Sequence, residues 1–396
     1  MGNYAVEGFA TIAQNYITKT LAPQQYLRSA MLYALAGITA GYTNEPLAIG
    51  RKDAGEVLSG LKMSPARRMF LQSINSYQPR IQAYKTSNTR MMGARPTMPT
   101  VGSATTRSHG QATQAAADFR FAKMRTPILV WHEDIDRALD GNEGRGRAGM
   151  GVAVGQLVEE ATQVGLQEHM DHLACRLLYG SPPSQDEDPW LDFSGVASGV
   201  SASNRYGRIN RGALSTGDPW LSNVISTSFQ TDITSIVDYC KINLKFNSIS
   251  GGPYLILAGG ANYLTFKNQV LNRGGVIMET PAGAGLPAMA KIGVEREVVK
   301  KDDYLLMWEP MLDSCPALDA DSGAALYTAT PTYVYVLSLR EWVFILNKKY
   351  NIKTDEFVDI SNKSEGAKDA DQGFITTRGL LACDKPNVQA VFTALA

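Results

Sequence analysis

The sequence has little of what metal enzymes and membrane proteins usually carry. Only four histidines and four cysteines occur in 396 residues. The cysteines (Cys175, Cys240, Cys315 and Cys383) are widely spaced and form no C-x-x-C pair. That pattern suits reduced thiols in a cytosolic compartment, not a disulfide framework. No apolar run reaches the ~18–20 residues of a membrane span. Met1 to Ile12 lacks the basic and apolar regions of a secretory signal. Net charge is absent too, with 38 basic residues against 38 acidic. This excludes a protein that grips nucleic acid mainly by a strong overall positive field. No internal repeat is visible. A chain of this length is expected to form two or three domains or subdomains with ample core.

What is present is a long proline-free stretch, Ala148 to Tyr179. It predicts one helix of about 48 Å at 1.5 Å per residue. Leu157, Ala161 and Val164, then Leu166, Met170, Leu173 and Leu177, recur at spacings of three and four, as an amphipathic helix requires. Glu159, Glu160, Gln163, Gln167, Glu168 and Asp171 stand between them, a face for water or a partner. Gly180 followed by Ser181-Pro182-Pro183 ends the helix.

Before this helix the chain changes character twice. Residues 1–79 read as a helical N-terminal arm with connections, with helices from Pro23 to Gly41, Ala54 to Leu61 and Pro65 to Ile74. Residues 80–130 read as a protruding hairpin. Extended stems at Arg80–Lys85 and from Thr113 to Trp131 flank an aperiodic tip, Thr89 to Gly110. Loops of this length inside compact domains are uncommon and usually functional. The hairpin is basic: Arg80, Lys85, Arg90, Arg95, Arg107, Arg120, Lys123 and Arg125 stand against one acid, Asp118. The rest of the chain is acid-rich in compensation. Opposite charges of this kind steer head-to-tail docking between copies. A basic arm for nucleic acid is the alternative, but few aromatics interleave the tip arginines as stacking on single strands would need.

After the hairpin, Trp131 to Gly141 reads as an acidic connector and Gln185–Asp188 as an acidic surface loop. An amphipathic helix carries Ile233, Ile236, Val237, Cys240 and Leu244 on one face. Tyr254–Ala258 is a buried strand by composition, turned by Gly259-Gly260 into a helix from about Asn262 to Leu271. Glu279–Ala290 is a Gly/Pro/Ala loop. Tyr304–Trp308, Thr332–Ser338, Gly373–Leu381 and Val388–Phe392 read as strands, with Trp342–Leu346 extended or briefly helical.

Three constellations invite a chemical reading, and each has a plainer one. Glu168 and His172 lie four apart with His169 beside them, which could face one metal. The H-E-x-x-H order is absent and no third ligand is recognisable, so a solvated strut face is expected. Gly259-Gly260 lacks G-x-G-x-x-G, and Lys267 is too far along for a Walker lysine. Cys175, three residues from His172, has no visible oxyanion hole. No enzyme, metal site or cofactor is expected.

The order of parts resembles the major capsid proteins of tailed bacteriophages, of the Hong Kong 97 type. Tyr206-Gly-Arg-Ile-Asn-Arg211 followed by Asp218-Pro-Trp220 is similar to the Gly-Gly-Ile-Asp-Arg…Trp segment of many such coats, departing from it at Arg208 and Asn210. Pro253–Leu257 is similar to the start of their apical domain. Leu380-Leu-Ala-Cys383 with Pro386-Asn387 and Gln389 is similar to a common C-terminal pattern.

The resemblance implies an α+β Hong Kong 97-type fold with five parts. These are an N-arm (1–79), an extended loop over a neighbour (80–130), a peripheral domain (131–224) with spine helix 148–179, an axial domain (225–330), and C-terminal strands returning to the peripheral domain (331–396). It implies self-assembly through pentamers and hexamers into an icosahedral shell around double-stranded DNA, which is held by weak non-specific contact. Scaffold, portal and decoration proteins are possible partners, and no membrane is. The location implied is the virion, with assembly in the host bacterial cytoplasm. Glu159, Glu160, Glu168 and Asp171 become candidate partners for the basic loop. An encapsulin-like compartment, a minor vertex protein and a metal-dependent hydrolase using Glu168, His169 and His172 are the alternatives.

Overall fold

A computed structural model describes residues 6–19, 29–31, 80–83, 117–120, 122–140, 146–181, 193–207, 209–214, 220–226, 232–247, 254–272, 276–278, 298–301, 304–316, 325–338, 341–346, 352–360, 369–383 and 385–393. The hairpin tip, the helices expected at 54–61 and 65–74, most of the helix expected from Pro23, and the loops at 185–188 and 279–290 lie outside them. So do Lys85, Arg90, Arg95 and Arg107.

Helix α1 (Val6–Lys19) comes first. Its Phe9, Ala13 and Ile17 are buried at spacings of four. Strands β1 (Arg80–Ala83) and β2 (Ala117–Arg120) pair antiparallel, with Arg80 opposite Arg120. Strand β3 (Ala122–Trp131) follows, and its Ala122, Met124, Thr126, Ile128 and Val130 alternate inward, the period of a strand with one buried face. Helix α2 (His132–Asp140) occupies the stretch read as a short acidic connector. Glu133 and Asp134 sit in its first turn and Arg137 in its last, which complements the helix dipole. Arg137 also pairs with Glu133 at 2.5 Å and Asp134 at 3.6 Å.

The spine helix α3 (Gly146–Tyr179) runs 34 residues, beginning slightly before the expected start. A short helix α4 (Val196–Gly199), strand β4 (Asn223–Ile225), helix α5 (Ile233–Asn247), strand β5 (Tyr254–Ala258) and helix α6 (Gly260–Asn272) follow. Next come β6 (Val276–Met278), β7 (Val298–Lys301), β8 (Tyr304–Trp308) and a single turn α7 (Pro310–Asp313). The chain continues through β9 (Val334–Ser338), β10 (Trp342–Leu346), β11 (Lys353–Thr354), β12 (Val358–Asp359), β13 (Ala370–Cys383) and β14 (Ala390–Phe392).

Two main sheets result, in a mixed helix-and-sheet architecture. The first is organised by the 14-residue β13, which pairs antiparallel with β3, β10, β11 and β12. The second has the order β4-β14-β9-β5-β8-β7-β6. β5 lies parallel to β8 and antiparallel to β9. The period of two divides its central strands between two cores. Tyr254, Ile256, Tyr304, Leu306, Val334 and Val336 face the core that includes Ile233, Ile236 and Val237 of α5 and Phe266 of α6. Leu255, Leu257, Leu305, Met307, Tyr335 and Leu337 face the core that includes α3. Burial on both faces explains why β5 and β9 read as continuous apolar runs.

The strands of the tail divide between the two sheets. β10 and β13 lie in the first sheet, but β9 and β14 complete the second. Val334–Ser338 and Ala390–Phe392 are buried throughout, so they need a sheet covered on both sides.

Candidate assembly surface

The spine touches both sheets, and its two halves differ accordingly. In the first half Val152, Gln156, Glu159, Glu160, Gln163, Val164 and Glu168 are exposed, a single stripe at helical spacing. Val152 and Val164 are 62% and 60% exposed. The opposite stripe, Val158, Thr162, Gly165 and Leu166, is buried. A Cβ added at Gly165 would stand 3.0 Å from Cγ1 of Ile128, so the helix lies close on β3 there.

From residue 169 the helix is enclosed on nearly every side. His169 is fully buried, with Nδ1 2.9 Å from Oγ1 of Thr126 and Nε2 2.7 Å from Oγ1 of Thr377. It thus ties α3 to β3 and β13 together. Burial, aided by His172 and Arg176, pushes its pKa down to about 3. His172 is half-buried and its pKa is lowered, first by burial and then by Arg176. Near the end, the Cys175 sulfur lies 3.5 Å from that of Met311. The Tyr179 hydroxyl donates to the Met311 carbonyl at 3.1 Å and accepts from the Thr330 amide at 3.1 Å. These contacts fasten the helix to the second sheet's layer.

This geometry corrects parts of the sequence reading. Asp171 is buried inside the chain. It therefore does not stand free for a neighbour. His169 is not on a solvated face, and both its ring nitrogens are engaged by threonines, leaving no lone pair for a metal. Cys175 is buried against Met311 and does not face a cleft nucleophile's surroundings. At the Gly259-Gly260 turn, the Gly260 amide donates to both Asp313 carboxylate oxygens at 2.9 and 2.8 Å. The start of α6 is thus already filled by an internal anion.

Of the other candidate contacts, Glu159, Glu160 and Glu168 lie on the exposed stripe. Arg80 and Arg120 sit on paired strands at the hairpin base. Lys123 is half-buried. Arg125 is paired within the chain, 3.0 Å from Asp355, with its guanidinium 4.1 Å over the Phe374 ring.

Sequence reasoning missed the apolar side chains that the second sheet's outer helices leave exposed. Ile242 on α5 is 71% exposed, and Leu264 and Leu271 on α6 are also exposed. A helical wheel carries the signal: Ile242 lies nine residues, or half a rotation, from the buried Ile233. Trp308 is partly exposed while its indole nitrogen donates to Asp313 at 2.8 Å.

The Tyr206–Trp220 segment forms a buried anchor. Gly207 adopts φ 56° in the tight turn that pairs Tyr206 with Ile209, a conformation glycine adopts without strain. Arg211 is buried. Its Nη1 donates to the Ser198 and Ser201 carbonyls at 3.1 and 2.6 Å and its Nη2 to that of Gly199 at 2.8 Å. The guanidinium lies 4.6 Å from the Tyr206 ring centroid. The Tyr206 hydroxyl accepts from the Cys383 amide at 2.6 Å, and the Trp220 indole donates to the Tyr206 carbonyl at 3.2 Å. The segment therefore holds the end of β13 beside α4.

The N-terminal segment is fastened by a buried acid. Glu309 accepts from the Ser29 hydroxyl and the Met31 amide, both at 2.8 Å, and from the Met311 amide at 3.2 Å. Helix α1 is held at β11, where Thr354 bonds Gln14 and the Ala10 carbonyl. Among the described residues, no helix is long and apolar enough to cross a membrane.

No family model matches the chain, and no curated protein matches its sequence. Solved structures overlay on it at low identity. The holo-encapsulin complex from Synechococcus elongatus gives a TM-score of 0.43 at 9% identity, over 80% of this chain and 82% of that chain. The capsid asymmetric unit of cyanophage A-1(L) gives 0.44 at 13%, over 80% and 88%. A structure from Mycobacterium phage Ogopogo gives 0.42 at 12%, over 80% and 87%. Overlaps of this degree do not by themselves assign a function.

Proposed function

We propose that this chain is a shell-forming coat protein of the Hong Kong 97 type, assembling with copies of itself through pentamers and hexamers around double-stranded DNA. The observation that carries it is the spine: one helix spans two sheets and presents an acidic stripe to solvent, while a basic hairpin leaves the first sheet through β3. A strut bound at both ends suits a mechanical role. In this proposal the first sheet and spine form the peripheral domain, and the second sheet with α5 and α6 forms the axial domain. Ile242, Leu264 and Leu271 then lie where copies meet around symmetry axes. DNA is held weakly, in keeping with the zero net charge. Assembly takes place in a bacterial cytoplasm, with scaffold, portal and decoration proteins as possible helpers.

Electron microscopy of the overexpressed chain tests this, with closed shells or rings of five and six expected. A stable monomer at high concentration would count against it. Reversing Glu159, Glu160 and Glu168 together to lysine is expected to slow assembly by roughly tenfold or more, since rim charges act chiefly on association rate. Reversing Arg90, Arg95 and Arg107 in the same chain is expected to restore part of the rate. If the arginine reversals alone leave assembly intact and abolish DNA retention, the basic arm serves nucleic acid instead.

A further inference from the structure

A second polar cluster lies away from the spine, where β3 enters α2. It joins His132, the first residue of α2, to Asp359 of β12 and to Asp369 and Asp371 at the start of β13. The β-ladder itself creates it. Register places Asp359 directly opposite Asp371, and Ala370 opposite Trp131, so His132 arrives beside both acids. The His132 amide donates to the Asp369 carbonyl at 3.0 Å, which fixes the approach.

Like charges directly opposite each other across a ladder are destabilising. Here one of the two is also out of water, since Asp371 is only 6% exposed. Glu133 and Asp134 add negative charge next door, and Arg137 is paired to them. A buried carboxylate in such surroundings calls for a cation, supplied either by a protonated His132 between Asp369 and Asp371 or by a bound ion.

The geometry around the imidazole says which kind. Nδ1 lies 2.5 Å from Oδ1 of Asp369; in the neutral tautomer with the proton on Nδ1, that carboxylate accepts it and the Nε2 lone pair is the one that can bind an ion. Nε2 lies 3.5 Å from Oδ2 of Asp371. That is long for a charge-assisted hydrogen bond of ~2.7–2.9 Å. It is close to the ~3.3 Å edge between ligands on a tetrahedral zinc ion with bonds of ~2.0 Å. One ligand atom from each of His132, Asp359 and Asp371 lies within 4.8 Å of the others. A carboxylate on the far nitrogen is also the usual support of a zinc-bound histidine, which it orients and makes more basic.

We propose that His132, Asp359 and Asp371 form a site for one divalent transition ion, of the zinc type, with Asp369 as the positioning residue on Nδ1 and water completing the coordination. Two carboxylates neutralise the ion's charge. The ion would staple β12 and β13 to the start of α2, at the point where the hairpin stem enters the first sheet. No catalytic step is assigned to it. The inference does not depend on the coat-protein proposal, because binding is measured on the chain whether or not it assembles.

The test is titration of the untagged, chelator-treated chain with zinc ion alone, followed by calorimetry and by metal analysis after gel filtration. One zinc per chain is expected, with a melting temperature raised by the ion. Asp359→Asn changes an exposed side chain and is expected to fold normally, yet to weaken binding by a hundredfold or more. His132→Gln is expected to abolish the tight site. Asp369→Asn, which alters only the outer carboxylate, is expected to weaken it by about 10–100-fold. Stoichiometry and affinity unchanged in Asp359→Asn would overturn the proposal, because zinc would then be bound elsewhere. So would failure of the wild-type chain to retain zinc, which would leave a protonated His132 as the group between the carboxylates.

Discussion

Replacing Arg211 by methionine is expected to lower the unfolding free energy by about 2–3 kcal/mol, since a buried carbonyl left without its donor costs about 1–3 kcal/mol. The side chain is buried and donates to three backbone carbonyls, those of Ser198, Gly199 and Ser201. Methionine fills much of the volume but donates nothing; the Gly199 carbonyl keeps the Ser222 hydroxyl at 2.9 Å, while the bonds from Arg211 to Ser198 and Ser201 are lost. Burial also pulls the Arg211 pKa down to about 10, which still leaves it charged near neutrality. Arg211→Lys recovers little, because an ammonium cannot reproduce the planar fork or its stacking over Tyr206. Urea unfolding of the unassembled chain measures the loss. A midpoint within experimental error of wild type for Arg211→Met would show that the anchor contributes nothing to stability.

Acidification produces the other large effect, through His169. Its pKa is about 3 in the folded chain and 6.5 in the reference state. Between those values the unfolded chain binds the proton and the folded chain does not. Stability is therefore independent of this group above about pH 6.5, falls as pH drops below that, and stops falling near pH 3. Each unit of this interval is worth about 1.4 kcal/mol. From pH 7 to 4.5 the expected loss is about 2.5 kcal/mol from His169 alone, and His172, lowered in the same direction, adds to it. His169→Gln keeps a donor and an acceptor for Thr126 and Thr377 but cannot titrate. Its stability is expected to change less between pH 7 and 4.5 than that of wild type. An identical pH slope in the two proteins would mean that His169 takes up its proton equally readily in the folded and unfolded chains.

The parts legible in the sequence are those whose signal is local. The spine shows through its three-and-four spacing, β5 and β8 through short apolar runs, and β9 through its alternation. Helix α2 is harder to see because its acids resemble a solvated connector. Its helical character lies in where the charges fall, Glu133 and Asp134 first and Arg137 last. The burial of His169 and Asp171 is not legible at all. Their position on the helix is readable, but which residues cover them depends on β3, β13 and the second sheet, elements drawn from distant parts of the chain. The His132 cluster is hidden for the same reason, because its acids come from residues more than 200 positions away. Only the register of β12 on β13 brings them together.

That remoteness has a consequence for timing. β13 supplies the partner strand for β3 along ten residue pairs, from Ala370 with Trp131 to Gly379 with Ala122. It also supplies Thr377 to His169. A ribosome releases the spine helix roughly 200 residues before β13 exists. Contacts this far apart in sequence form late and slowly. The growing chain thus carries a strut that can lean on β3 and α1 but not yet on β13 or the second sheet. Copies whose β13 has not yet been made are poor templates for one another, and competence for association follows the completion of β13. Pulsed hydrogen exchange during refolding would reveal this as amides of α3 and β13 gaining protection together. Protection of α3 well ahead of β13 would show instead that the strut stands by itself.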